Sequence, residues 1–410
     1  MPDTRSLIPV ARSAVRALEG SRIREIANAG IDDPEVLPFW FGEPDQVTPA
    51  FIRDAATASL AQGETFYSQN FGIPELRRAI AGYVGALHRP TTPDEIAVTA
   101  SGMSALMLAV EALVAPGDRV VVVTPLWPNL VEIPKILSAH VVCMPLAFGA
   151  NGWTLDLDLL LSALTPGTRA LMLNSPNNPT GWTIDRTTQQ TLVAHCERHG
   201  IWIVADDVYE RLYYADDLAC APSFLDIASG DARVVSTNSF SKAWLMTGWR
   251  LGWIVAPKAL MPELGKLIEY NTSCSPVFVQ RAGVVALRDG EPTVDATRER
   301  LRRARNRLVD GLRTLPGVDV APPAGAMYAF FRVEGVDDSM AFCRRLVSEA
   351  KLGLAPGRAF GPEGEGFVRW CFAASDERLE DGIGRLTRFM GSETSFAQRN
   401  VVSDPISVQT

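Results

Sequence analysis

The chain has 410 residues, with 47 acidic and 39 basic side chains and a formal net charge of -8. That sign disfavours a nucleic-acid partner, and a hydrophobic content of 47% belongs to a folded chain, not a disordered one. No apolar run approaches the ~20 residues that a membrane helix needs, so no membrane partner is expected. The basic residues include only five lysines, Lys135, Lys242, Lys258, Lys266 and Lys351, so any lysine chemistry has five carriers. Six scattered cysteines without a Cys-x-x-Cys pair, and a start (Met-Pro-Asp-Thr-Arg) without a basic-then-apolar leader, predict reduced thiols in a cytoplasmic protein.

In chain order, residues 1–45 read as an arm that packs on a second, smaller domain or on a partner subunit. A large domain over 46–288 follows. Between about 95 and 260 short β-branched runs alternate with helical patterns. Strands are predicted at Glu95–Thr99, Arg119–Val123, Arg169–Leu173, Ile201–Ala205, Arg233–Ser236 and Leu251–Val255, with a helix over Met103–Val114. These runs are apolar throughout and do not alternate, which predicts an α/β fold: a mainly parallel sheet covered by helices on both faces. After Asp289-Gly-Glu-Pro an Arg-rich helix, Thr297–Leu315, opens a smaller α+β domain over 289–392. Its strands are expected at Met327–Val333 and Phe367–Phe372, and its helices at Ser339–Glu349 and Glu377–Met390. Residues 393–410 are polar without periodicity and read as a mobile tail.

Two histidines, His195 and His199, stand at helical i, i+4 spacing as zinc ligands do, but no third ligand accompanies them, so no metal site is assigned. The informative residues are those at the carboxyl ends of the predicted strands, where parallel α/β sheets bind ligands. Ala100-Ser101-Gly102-Met103-Ser104 opens a helix whose free N–H groups suit a phosphate. Asn174-Ser-Pro-Asn-Asn-Pro-Thr-Gly181 places two amides, Asn177 and Asn178, in a turn. Asp206, in Asp-Asp-Val-Tyr209, ends a buried strand and needs a cationic partner. Ser239-Phe-Ser241-Lys242, followed by Gly248-Trp-Arg250-Leu-Gly252, joins two hydroxyls, one of the five lysines and an arginine. Apolar neighbours Phe240, Ala243, Trp244, Leu245 and Met246 predict a desolvated Lys242 with a lowered pKa. Pyridoxal 5'-phosphate (PLP) offers a phosphate, a phenolic oxygen, a pyridinium nitrogen and an aldehyde, one partner for each of these features.

With these motifs the sequence resembles the fold-type I, class I/II PLP-dependent aminotransferases from about residue 20 to 390. The resemblance implies that Lys242 forms the imine with the cofactor aldehyde and moves the substrate α-proton, and that Asp206 holds the pyridine nitrogen protonated. Asn178 and Tyr209 would bond the phenolic oxygen, with Asn178 also near the substrate. Gly102 and Met103 N–H groups, the hydroxyls of Ser101, Ser239 and Ser241, and Arg250 would hold the phosphate. Trp127 would stack on the ring beside the substrate, and Tyr67 would reach the phosphate of a neighbouring subunit, implying a homodimer. Arg369, in Phe-Val-Arg-Trp-Cys-Phe, and the backbone of Gly42, in Phe-Gly-Glu-Pro, would bind the substrate α-carboxylate. The implied partners are an amino acid and a 2-oxo acid.

Prokaryotic aspartate enzymes of this family often carry a lysine where Met103 stands, and a partner-subunit arginine near what are here Glu269 and Tyr270. The departures point away from strict aspartate specificity toward an apolar or aromatic donor, although Arg358 offers a charge from its loop. Two alternatives share the motifs: a β-eliminating PLP lyase and a non-catalytic PLP-binding regulator. The latter would need a DNA-binding module, for which the first 45 residues are too short and not basic enough.

Overall fold

A computed structural model describes residues 11–402 of the chain, with side chains described through 391. Its centre is a seven-stranded sheet: β1 (Ile96–Thr99), β2 (Arg119–Thr124), β3 (His140–Pro145), β4 (Thr168–Asn174), β5 (Trp202–Asp206), β6 (Val234–Ser239) and β7 (Gly252–Val255). The spatial order is β1-β7-β6-β5-β4-β2-β3. All neighbours run parallel except β7, which is antiparallel to both β1 and β6. Apart from edge strand β3, nearly every strand residue is buried, which is the covered sheet that unbroken Val/Ile/Leu runs imply. Strand β3 went unpredicted because its pattern is half-exposed and irregular.

The reversed strand matters for the site. Since β7 starts at the rim where β1 and β6 end, Gly252 lies opposite both Thr99 and Ser239. Arg250, two residues earlier, is thereby delivered to the same rim as Ser239.

A second, four-stranded antiparallel sheet has the order β8-β9-β11-β10: β8 (Val318–Asp319), β9 (Tyr328–Val333), β10 (Ala355–Pro356) and β11 (Phe367–Cys371). Helices α1 (Glu291–Arg313), α2 (Ser339–Ala350) and α3 (Asp376–Val402) accompany it. The arm joins this core: Ile23, Ile26, Val36, Phe39 and Trp40 are buried with Leu308, Leu346, Trp370 and Leu386. Leu37–Pro38 also pairs in parallel with Leu352–Gly353.

Helix α3 continues to Val402, so residues 393–402 of the expected tail are helical. Expectations for residues 1–10 and 403–410 lie outside the described residues. No helix among those described is long and apolar enough to cross a membrane.

Candidate active site

The motif expected to hold a phosphate is built where β1, β6 and β7 meet. The helix after β1, Gly102–Leu113, is capped by Ser101, whose Oγ accepts the Ser104 N–H at 2.9 Å. By their position in the first turn, the N–H groups of Gly102 and Met103 have no intrahelical acceptor. The backbones here are so close that side chains would fill the space. A Cβ on Gly102 would come within 2.9 Å of Ser239 Cβ, and one on Gly252 within 2.6 Å of Gly102 N. Ser239 Oγ accepts the Ser241 N–H at 2.9 Å, leaving its own proton to donate. Arg250 adopts a left-handed conformation (φ 54°) that turns its guanidinium back to the Thr247 carbonyl at 2.7 Å and the Ser241 hydroxyl at 3.5 Å. It has no ion-pair partner among the described residues. A helix N-terminus, two hydroxyls and an uncompensated arginine form an anion site.

Next along the rim lies Asp206, paired in register with Asn174 and buried. Burial pushes its carboxyl up to about 7, Asp207 adding to the shift and the Val208 N–H and Lys242 opposing it. A carboxylate so placed favours a cationic ligand such as a pyridinium. Lys242 follows β6 in a turn; its half-buried Nζ donates to the Gly42 carbonyl at 2.6 Å and lies 5.8 Å from the centre of the Tyr209 ring. Burial lowers the ammonium to about 8, with Arg369 and Arg250 acting in the same direction. The desolvation expected from its apolar neighbours is therefore present.

The two adjacent amides do different work. Asn177 Oδ1 accepts from the Thr180 N–H and hydroxyl, closing the turn. Asn178, its N–H bonded to Asn174 Oδ1, accepts Arg369 Nη1 at 3.0 Å. Arg369 is completely buried, and its other Nη bonds the Trp40 carbonyl. It stacks 4.4 Å from the centre of the Tyr328 ring and 4.8 Å from that of Phe360. It has no carboxylate partner among the described residues, and its Nε is unbonded. An unpaired buried cation calls for an anionic ligand.

Sequence reading missed Tyr328, Trp40 and Phe360. Register could have supplied Tyr328: Phe330 faces Arg369 across β9 and β11, and Tyr328, two residues along, shares that face. Nothing comparable marks Trp40, which contributes only its backbone. At Gly42 the structure shows the carbonyl engaged with Lys242, and a Cβ there would fall 1.9 Å from Tyr328 Oη.

A cleft of about 660 Å³ leads away from Arg369 and Gly42. Trp127, half-buried with an unbonded indole N–H, lines it with Phe41, Val131 and Phe360, and Arg24 and Arg358 stand along it. Met103 lies beside this wall, its sulfur 3.5 Å from Asn129 Nδ2. Tyr67 is not drawn into the site of its own subunit: it is 89% exposed.

Residues 34–386 match the family model for aminotransferase class I and II. The chain belongs to that family. It is 34% identical over 383 residues to the aspartate aminotransferase of Pyrococcus horikoshii, covering 92% of this chain and 97% of that one. It is 33% identical to the arginine–pyruvate transaminase of Pseudomonas aeruginosa, over 86% of this chain and 89% of that one. The solved aromatic aminotransferase from P. horikoshii superposes with a TM-score of 0.82 at 30% identity, covering 91% of this chain and 99% of that one. The protein is thus a fold-type I aminotransferase that uses pyridoxal 5'-phosphate. In this aminotransferase the rim fits that cofactor by its chemistry: a cradle too narrow for a Cβ at Gly102 or Gly252, a buried acid lacking a full counter-charge, and a neutralisable lysine between them.

Proposed function

We propose that this aminotransferase moves an amino group from an L-amino acid with an apolar or aromatic side chain to a 2-oxo acid, with Lys242 as the proton-transfer group. The observation that carries the reading is the buried, acid-free guanidinium of Arg369, which lines the cleft together with Gly42, whose carbonyl accepts a hydrogen bond from the desolvated Lys242. Bound PLP supplies an electron-poor ring that accepts the electron pair left when the substrate α-proton departs.

The chain's own residues do the rest. Gly102, Met103, Ser101, Ser239, Ser241 and Arg250 hold the phosphate, and Asp206 keeps the ring nitrogen protonated. Asn178 and Tyr209 hold the phenolic oxygen, and Trp127 covers the ring. Arg369, with the Gly42 backbone, fixes the substrate α-carboxylate and so aims the α-hydrogen at Lys242 Nζ. A lysine lowered to about 8 is a free amine in about a tenth of molecules at pH 7, far more than an ordinary lysine, and in that form can take the proton.

Met103, Trp127, Phe41 and Val131 favour an apolar or aromatic side chain in the cleft. One observation favours a second reading: Arg358 lines the same cleft, and among the described residues its side chain makes no ion pair or hydrogen bond, which suits an acidic side chain. The names of the relatives, spanning aspartate, aromatic and arginine donors, are compatible with either.

The reading extends to organisation. Residues 11–45 with 289–392 form one small domain, 46–288 the large one, and the protein works as a cytoplasmic homodimer. Supporting the dimer, Phe66, Tyr67 and Tyr270 are 83%, 89% and 89% exposed. The segments carrying them touch through Asn70–Glu269 (2.8 Å) and Ser68–Cys274 (3.4 Å), leaving an apolar patch for a second copy to cover.

The test is a panel of amino donors against 2-oxoglutarate and pyruvate with wild type and Lys242→Ala. Transamination requires the keto-acid acceptor and vanishes with Lys242; pyruvate and ammonia released without an acceptor would establish β-elimination instead, and unchanged turnover in Lys242→Ala would refute the assignment. Higher kcat/KM for aromatic than for acidic donors supports the first substrate reading, and the reverse order supports the second.

A further inference from the structure

Tyr328 begins strand β9 and is completely buried between Gly42, Arg369 and Tyr209. Its hydroxyl lies 2.7 Å from that of Tyr209, the rings meeting edge to face at 83°. Both phenols are pushed well above their ordinary range, chiefly by burial, so both keep their protons. Two neutral hydroxyls in contact carry two protons, and only one can lie between the oxygens. The other must be directed elsewhere.

The surroundings decide which. Around Tyr328 Oη the space is taken by the Cα of Gly42, where a Cβ would fall 1.9 Å away, and no other hydrogen-bond partner is found for it among the described residues. Tyr209, by contrast, lies beside the Lys242 amine. The low-strain arrangement has Tyr328 donate to Tyr209 Oη, leaving the Tyr209 proton to point toward the lysine side. Accepting one hydrogen bond also polarises the Tyr209 O–H and makes it a better donor.

We propose that Tyr328 is a positioning residue: its hydroxyl donates to Tyr209 and so aims the Tyr209 proton at the phenolic oxygen of the cofactor. The inference rests on the role proposed above for Tyr209. The same ring also supports Arg369, so one residue of the small sheet braces the carboxylate clamp and the cofactor tyrosine together.

The test uses the PLP-loaded enzyme and the pH midpoint of its visible cofactor band. A hydrogen bond to the phenolic oxygen stabilises the more negative, deprotonated form of the lysine-bound chromophore, so weakening it raises the midpoint. Tyr328→Phe keeps the ring and the packing and is expected to raise the midpoint by about half a unit, with Tyr209→Phe raising it further. The double variant is expected to match Tyr209→Phe, because Tyr328 acts only through that hydroxyl. A midpoint unmoved in Tyr328→Phe, or a shift that adds fully to that of Tyr209→Phe, overturns the inference. A wild type without any pH-dependent visible band removes the Tyr209 assignment as well, separating the two failures. Should Tyr328→Phe fail to fold, Tyr328→Met serves as the second variant, with the same midpoint criterion.

Discussion

At the end of the site proposed to hold the phosphate, Ser101, Gly102, Ser239 and Gly252 are neighbours because three strands of one sheet end or begin there, and the backbone ladder alone fixes their spacing. At the end proposed for the substrate carboxylate, Arg369 is held by Trp40, Asn178, Tyr328 and Phe360, which come from the arm, the turn after β4, strand β9 and the turn between β10 and β11. The first end is preformed by hydrogen-bond register. The second depends on packing between the arm, the small sheet and the Asn178 turn, so it is the end that substrate binding can adjust. Cofactor and substrate affinities should therefore be separable by mutation.

The strongest way to break this division is Arg369→Ala. It removes the buried cation proposed to face the α-carboxylate, so kcat/KM for amino donors is expected to fall roughly a thousandfold, as when one partner of a buried charge pair is lost. Cofactor binding, followed by its absorbance, should stay near wild type. Simultaneous loss of cofactor would show that the two ends are one unit.

Asp206→Asn sharpens the division on the cofactor side. The folded protein holds the Asp206 proton up to about 7, whereas an unfolded aspartate releases it near 4. The native state thus binds the proton more tightly, and its stability declines as pH rises from about 4 to about 7, with the cost fully present above that window. By linkage the cost reaches up to about 4 kcal/mol. Stripped of cofactor, Asp206→Asn should melt higher than wild type at pH 8 and about equally at pH 4. Equal melting at both pH values would show that Asp206 already has a counter-charge.

Arg250→Ala is expected to weaken PLP retention by about ten- to a hundredfold, the range of one charged hydrogen-bonding group. The KM for the amino donor should not change, as measured by dialysis against free cofactor and by steady-state kinetics. A raised KM with unchanged PLP affinity would place Arg250 on the substrate side.

The same division explains what could be read from the sequence. Buried parallel strands are apolar runs with polar residues at their ends, so Asp206, Asn178, Ser239 and Lys242 stood out. The reversal of β7 did not, because Leu251–Val255 reads alike in either direction; Arg250 was found through its motif, not its geometry. Tyr328 lies 119 residues from Tyr209 and is polar only at its tip, so nothing local distinguishes it from core. The partner of Gly42 was likewise invisible: a glycine can be read as flexible, but not that Tyr328 occupies the space of its side chain.

The smallest expected effect concerns Lys242 itself, which stands between the two ends. Its amine must be neutral to capture the cofactor aldehyde. With the ammonium lowered to about 8, the neutral fraction is about a tenth at pH 7 and about nine-tenths at pH 9. The second-order rate of PLP uptake by cofactor-free enzyme, read by stopped-flow absorbance, should therefore rise about tenfold across that interval and then level off. An unshifted lysine would give about a hundredfold rise with no plateau, because its midpoint lies above 10. Burial is the main cause of the shift, with Arg369 and Arg250 contributing, so Arg369→Ala should move the plateau only slightly upward in pH. A large movement would mean that the carboxylate clamp, more than the apolar surroundings, tunes the lysine, and the two ends of the cleft would then be coupled through Lys242.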